Sequence, residues 1–394
     1  MSQQLIARNP DLQRLRDDGF HVVVRHGYLL INDVPYVTED REIKRGILIS
    51  KLEMVNDVTR PPTDHVAYWS GKHPCHSDGR QISAFYNPSP PQDFGNNIRA
   101  DHTFSAKAAY RDYHHKMSAY IARIAGEARL IDATVRAETF PLYLSDDETS
   151  VFKYEDTASS RAHIGVMNEK LAGQHIGIVG LGGTGSYVLD LVAKTHVKEI
   201  HLFDGDIFLQ HNAFRAPGAA AGERIQSTLP KVNYWAEIYS VMRHGIVPHT
   251  AYLDENNLNT LEGLDFVFLC MDSGLAKGHV IAALESMNLS FIDVGLGILP
   301  YDGNRLSGLL RITTSTPANR ETARKEISLK EGAVEPNDYS TNIQVAELNA
   351  LNAALAVIRW KKLFGFYYDS DSEHHSLYMI RANEMVNTGS TSGQ

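Results

Sequence analysis

Seven residues, Gly180-Leu-Gly-Gly-Thr-Gly-Ser186, follow the short apolar run Ile176-Gly-Ile-Val-Gly180 and lead into a helical stretch, Gly185–Thr195. A glycine-rich turn between a buried strand and a helix lets the backbone reverse tightly. It also turns amide N–H groups and the positive helix end toward an anion. Gly180, Gly182 and Gly185 carry the spaced-glycine fingerprint, with Gly183 between them, and Asp204 stands 24 residues after Gly180 at the end of the next apolar run. An acid there typically binds ribose hydroxyls. The loop alone points first to a dinucleotide-dependent dehydrogenase, and strand–helix packing would also explain glycines at these positions.

The surrounding texture fixes the fold class. Ile200-His-Leu-Phe203, Phe266-Val-Phe-Leu-Cys270 and Phe291-Ile-Asp-Val294 are further short apolar runs, alternating with the helical stretches Lys231–Met242 and Leu275–Met287. Strands buried on both faces and alternating with helices predict an α/β domain: a Rossmann-like, mostly parallel sheet with helices on both faces. Leu306–Thr313 and Leu377–Arg381 extend it, and Gln344–Phe364 reads as one long helix. Ahead of it stands a smaller β-rich α+β domain. Its strands run between Phe20 and Val37, with turns at His26-Gly27 and Asn32-Asp33, and at Ile43–Leu52 and His65–Trp69; a helix follows at Ala108–Ile131. The expected division is 1–150, 151–386 and a frayed tail, 387–394.

Composition narrows the function classes. Lys and Arg total 38 and Asp and Glu 47, a net charge of −9 with no basic run, which offers no footprint for nucleic acid or an anionic membrane. No apolar run reaches the roughly 18 residues of a membrane span, and the start lacks a signal-peptide pattern. The two cysteines, Cys75 and Cys270, cannot build a disulfide framework or a zinc site between them. A reduced, cytoplasmic protein is expected, and Cys270, at the end of an apolar strand, is expected to pack rather than react.

The segment after Asp204 shifts the balance away from hydride transfer. Asn212 and Arg215 follow in Asp204-Gly-Asp-Ile-Phe-Leu-Gln-His-Asn-Ala-Phe-Arg215, Lys231 opens a helix after Leu229-Pro230, and Asp272 follows Cys270-Met271. An ATP-consuming adenylating enzyme needs such a set. Cations neutralise charge as pyrophosphate leaves, and a carboxylate holds the magnesium that bridges phosphates.

Taken together, roughly residues 155–385 resemble the ThiF/MoeB family of adenylating enzymes, relatives of the ubiquitin-activating enzymes. The resemblance implies ribose binding by Asp204, phosphate contacts from Asn212, Arg215 and Lys231, and Mg²⁺ binding by Asp272. It further implies a homodimer in which Arg161 reaches into the partner's site. Many relatives also hold structural zinc on two Cys pairs, which two cysteines in total exclude. The ubiquitin-activating branch has a catalytic Cys on a loop after the magnesium strand. The corresponding stretch here, Thr313–Asn342, has none, but it offers hydroxyls. Ser328, Ser340 and Thr341 are candidate acyl acceptors; the alternative is that the acyl-adenylate passes straight to a partner.

The first domain is similar to one that precedes ThiF-like modules in some bacterial proteins, through Asp64–Cys75, Phe104–Lys107 and Tyr110–Met117. That likeness implies a setting of ubiquitin-like proteins, conjugating-enzyme relatives and antiviral defence. Its histidines (His65, His73, His76, His114 and His115) show no metal-ligand spacing and are expected to be satisfied or solvated. The expectation is an ATP- and Mg²⁺-dependent enzyme that adenylates the terminal carboxylate of a ubiquitin-like protein and passes it to a conjugating partner. The rivals are adenylation of a small-molecule or tRNA-modification substrate, an NAD-dependent oxidoreductase, and a non-catalytic scaffold.

Overall fold

The computed structural model describes residues 2–145, 150–162, 164–272, 274–329 and 343–389, and the chain forms two compact units. The first comprises Met1–Glu148 with Tyr154–His163, and the second Thr149–Lys153 with Ile164–Gln394.

In the first unit a six-stranded sheet takes the order His21–Arg25, Tyr28–Val37, Ile43–Lys51, Val66–Ser70, His102–Ser105, Tyr86–Asn87, every neighbour antiparallel. His26-Gly27 form the expected turn, both at positive φ. Asn32-Asp33 do not turn the chain. Asp33 takes φ 58°, the register slips between Ile31 and Val34, and the strand continues through this β-bulge to Val37. The helix begins later than its apolar pattern suggests, at Tyr113–Ile131, because the Asp112 carboxylate caps it by accepting from His115 N–H at 2.8 Å. Tyr113, Met117, Tyr120, Ile121 and Ile124 form its buried stripe and join Trp69, Phe104 and Leu48 in the core.

The second unit is built on an eight-stranded sheet. Its first five strands are parallel, in the order Ile246–His249, Glu199–Phe203, His175–Val179, Phe266–Leu269, Ser290–Tyr301. Three antiparallel strands, Arg305–Ser315, Glu373–Met379 and Glu384–Gly389, complete it. This is the expected Rossmann-like sheet. Helices Gly183–Val192, Lys231–Ser240 and Ala346–Leu363 close an apolar core on one face through Val188, Trp235 and Trp360. Leu275–Ser286 closes the other through Val280 and Leu284. The final strand runs through Gly389, so residues 387–389, expected as tail, are sheet; Asn387 pairs with Ser376 and Thr388 with His375. Their side-chain pattern is almost wholly exposed, which hides an edge strand from an apolar-run reading.

The strand order places a switch point between His175–Val179 and Phe266–Leu269. Chain connections leave these two adjacent strands in opposite directions along the sheet, opening a crevice at their carboxyl ends.

Candidate functional site

The glycine loop lies in that crevice, and the glycines divide the work between them. Gly180 takes φ +87°, and a Cβ there would stand 2.7 Å from the Cys270 carbonyl oxygen. A Cβ on Gly185 would lie 1.8 Å from the Gly180 carbonyl oxygen, so only glycine closes the turn into the helix. Gly182 faces open space and caps the helix Gly183–Val192, leaving its first amides without a side-chain cap. Gly183 answers to a different neighbour, since a Cβ would collide with the Asn349 amide at 2.1 Å.

Asn349 carries no signal in the sequence, yet it locks the loop from the long helix Ala346–Leu363. Fully buried, it accepts from Thr184 Oγ1 at 2.9 Å and donates through Nδ2 to the Arg215 carbonyl at 3.3 Å. A position 165 residues from Thr184 can be found only from the fold.

Asp204 ends the neighbouring strand and turns back onto the loop. Leu181 N–H donates to its Oδ2 at 2.6 Å and Asp206 N–H to its Oδ1 at 2.8 Å. Burial pushes its pKa above the ordinary carboxylate value, against Lys231 and the two N–H donors. Lys231 is delivered by a bridge between Ile207 and Pro230 and by its own N–H, which donates to the Asp206 carbonyl at 2.8 Å. Its ammonium lies 2.6 Å from Asp206 Oδ2 and 3.8 Å from Asp204 Oδ2. Tyr252 also donates to Asp206 through its hydroxyl. Burial would raise the Asp206 pKa, but the hydrogen bonds from Lys231 and Tyr252 outweigh it and hold the group below the usual value. Asp206 and Tyr252 were not among the sequence candidates.

Asn212 lies in the short helix Gln210–Ala213 and Arg215 in the turn after it. Asn212 is buried; its Oδ1 accepts from Leu209 N–H at 2.8 Å, while Nδ2 has no partner. Burial lowers the Arg215 pKa, opposed by the charges of Asp272 and then Asp206, which places this guanidinium among the site's carboxylates. Its Nε is likewise buried without a partner. His211 is a further member: burial, then Arg215 and Lys231, lowers its pKa, with Asp206 opposing. The long spacing between Arg215 and Lys231 accommodates a short helix, Gly222–Gln226.

The structure therefore brings Gly180–Gly185, Asp204, Asn212, Arg215, Lys231 and Asp272 to one end of one sheet. Arg161 belongs to the first unit, where it closes the helix Thr157–Arg161 and its Nε lies 3.7 Å from Asp17. Ser328 is exposed just beyond the helix Arg320–Glu326, and Ser340 and Thr341 lie outside the described residues. Cys270 borders the core, and burial pushes its thiol pKa far up, which suits packing rather than nucleophilic attack. Among the described residues no cluster of three or more His, Cys, Asp or Glu is arranged to hold a metal by itself, and no helix is long and apolar enough to cross a membrane.

Several solved structures are similar to this chain. PaaA shares 14% identity, covering 57% of this chain and 75% of its own, with a TM-score of 0.42. E. coli MccB with ATP shares 16%, covering 60% and 72%, with a TM-score of 0.45. E. coli MccB with MccA-N7isoASN shares 16%, covering 59% and 71%, with a TM-score of 0.46. No curated protein sequence matches the chain. Residues 10–157 match a family described as a domain of unknown function, DUF6791. Residues 158–320 match the ThiF family, and with the loop, the strand order and the charged set at its carboxyl end already in place, the chain carries a ThiF-family domain.

Proposed function

We propose that the second unit binds ATP at the glycine loop and adenylates a carboxylate, the C-terminal carboxylate of a ubiquitin-like protein. The observation that carries this reading is the convergence of two carboxylates, Asp204 and Asp206, two cations, Lys231 and Arg215, and Asp272 beside an uncapped helix start. Orphaned polar atoms support a ligand here: Asn212 Nδ2 and Arg215 Nε are buried donors with nothing to donate to. Such atoms fit an anionic ligand, because an unmet buried donor costs about 1–3 kcal/mol.

Each residue then has a task. Asp204 holds the ribose hydroxyls while fixing the loop through Leu181. The loop amides, Asn212, Arg215 and Lys231 stabilise charge as the bond to pyrophosphate lengthens. Asp272 would hold Mg²⁺, which supplies charge neutralisation across the phosphates; one carboxylate with phosphate oxygens is a usual magnesium environment. The carboxylate oxygen bonds to the α-phosphorus, pyrophosphate leaves, and the acyl-adenylate is the donor for the next step. With two cysteines in the chain, neither in the Thr313–Asn342 stretch, that step is direct transfer to a conjugating partner or an oxyester on Ser328, Ser340 or Thr341. A homodimer, with Arg161 completing the partner's site, belongs to the same proposal.

The test is ATP–pyrophosphate exchange driven by a co-encoded ubiquitin-like protein, followed by hydroxylamine-sensitive trapping of any ester. Exchange is expected in the wild type and lost in Asp272→Ala. Full exchange in that variant would remove Asp272 from the mechanism, and NADH binding without ATP binding would replace the reading with a dehydrogenase.

A further inference from the structure

Beside the nucleotide crevice, one strand further along, lies a group of three charges, two buried and one partly buried, to which the adenylation residues named above do not belong. Asp293, fully buried in Ser290–Tyr301, is ion-paired to the buried Lys277 of the helix Leu275–Ser286. Arg311 of the next strand donates from Nη2 to its other oxygen at 2.8 Å. Two cations, Lys277 buried and Arg311 partly buried, thus share one buried carboxylate, leaving a local excess of positive charge. An isolated surplus of that kind is costly where water is excluded, and an arriving anion relieves it.

Register locates the surplus. Asp293 pairs with Leu269, the last residue of its strand and three before Asp272, and Gly295 is the cross-strand partner of Arg311. The guanidinium lies over Gly295, where an added Cβ would meet its Nη2 at 3.0 Å. The charges of Asp293 and Lys277 also act on the Cys270 thiol, and Cys270 Cβ stands 3.1 Å from where a Gly185 Cβ would be. Cys270 thus stands between the triad and the glycine loop. Three buried polar atoms at the triad and its neighbour lack a hydrogen-bond partner: Asp293 Oδ1, which meets Lys277 only as an ion pair, Arg311 Nε, and Oδ1 of Asn352, whose Nδ2 donates to the Gly295 carbonyl at 3.2 Å. Beyond Gly295 the strand offers Gly297, which is exposed with open space over its Cα.

We propose that Arg311, clamped on Asp293 and lying over Gly295, receives the free carboxylate of an extended peptide chain end. The subsite rests on the adenylation reading for its purpose: it would hold the carboxylate beside the α-phosphate until it is converted. Once the carboxylate oxygen bonds to phosphorus, the acyl group no longer bears the charge that Arg311 recognises. The residue therefore favours acids over amides and releases the product. Gly295 and Gly297 keep side chains out of the path of the entering backbone.

Two measurements on the full chain decide it, with Arg311→Met as the variant. First, with saturating α,β-methylene ATP and Mg²⁺, sodium acetate is compared with sodium chloride at equal ionic strength. Acetate is expected to raise the wild-type melting midpoint by about 2 °C and to leave Arg311→Met unmoved. Second, ATP–pyrophosphate exchange is driven by pooled random hexapeptides with free carboxyl ends, against the same pool amidated. The free-acid pool alone is expected to work, with its KM raised roughly 10- to 100-fold in the variant and the ATP KM unchanged. Retention of the acetate shift in Arg311→Met overturns the proposal, as does a variant effect on the ATP KM in place of the peptide KM. An acetate shift lost in the variant, with no exchange from any pool, keeps the subsite and removes the adenylation reading. No acetate shift and no exchange in the wild type removes the subsite. Should Arg311→Met fail to fold, Arg311→Lys keeps the pairing with Asp293 but not the planar fork, and carries the same comparison.

Discussion

Asp11 in the first unit and Asp204 in the second are both buried carboxylates that accept backbone N–H groups, and they are embedded differently. Asp11 accepts from Leu12 N–H at 3.0 Å, Thr59 Oγ1 at 2.9 Å and Tyr113 N–H at 3.1 Å, tying a helix, a hairpin and a helix start together. Every contact serves the fold. Asp204 accepts two backbone N–H groups and then meets Lys231, Asp206 and, through them, Arg215 and Asp272. Around it the orphaned atoms of Asn212 and Arg215 gather in one place, whereas those of the first unit, on Arg16, His73, Ser118, Arg129 and Ser145, are spread over separate parts of the chain. A structural carboxylate is recognised by being finished within the protein. A site carboxylate is recognised by neighbours that are not.

The sharpest contrast should come from one substitution in each unit. Trp69 is fully buried, donates to the Lys72 carbonyl at 2.9 Å and packs edge-on against Tyr36. Trp69→Ala is expected to cost about 3–5 kcal/mol in a denaturant melt, with α,β-methylene ATP affinity by calorimetry unchanged. Loss of nucleotide affinity in that variant would break the division of labour. Lys231→Ala should do the reverse, lowering exchange about 10²- to 10³-fold, or about 2.7–4 kcal/mol, with the first unit's unfolding unchanged. Asn349→Ala comes next. It strands the Thr184 hydroxyl and the Arg215 carbonyl, at about 1–3 kcal/mol, and should weaken nucleotide binding while leaving in place every side chain proposed to hold phosphate. An affinity equal to wild type would show that the loop holds its shape unaided.

The smallest effect is a pH dependence in the first unit. The rings of His73 and His102 lie 5.0 Å apart, and burial lowers the pKa of each below 6.5, the neighbouring imidazole adding to the effect at His102. A histidine whose folded pKa is depressed binds fewer protons folded than unfolded. Its contribution is fully present above pH 6.5 and declines as pH falls from there through the folded pKa. The melting midpoint of the first unit should drop between pH 7.5 and 5.5, and His102→Gln should flatten that drop. An unchanged slope would assign the pH response to other groups.

Much of the second unit was legible because its signals are local. A strand, a glycine turn and a helix start lie within some twenty residues, and Asp204, Lys231 and Asp272 each sit where a strand ends or a helix opens. What the sequence could not show is set by register and by the long helix. Gly183 reads as part of a phosphate fingerprint, but its missing side chain makes room for Asn349. Asp293 and Lys277 read as an isolated acid in an apolar run and a helix polar face; only pairing with the strand Arg305–Ser315 brings Arg311 to them. In the first unit the bulge at Asp33 imitates a turn, since an Asn-Asp pair with one residue at positive φ serves either purpose until the partner strand is known.

The 2.6 Å pairing of Lys231 with Asp206 carries one more implication. The lysine reaches the crevice already neutralised, so any anion that engages it must compete with a carboxylate of its own chain. Ligand capture at this point is an ion exchange, and its free energy is a difference between two pairings rather than the full strength of one. A nucleoside without phosphates gives Lys231 no reason to leave Asp206, while each added phosphate strengthens the rival claim. The fold thereby makes the number of negative charges on the ligand, more than the base it carries, the quantity to which this lysine responds.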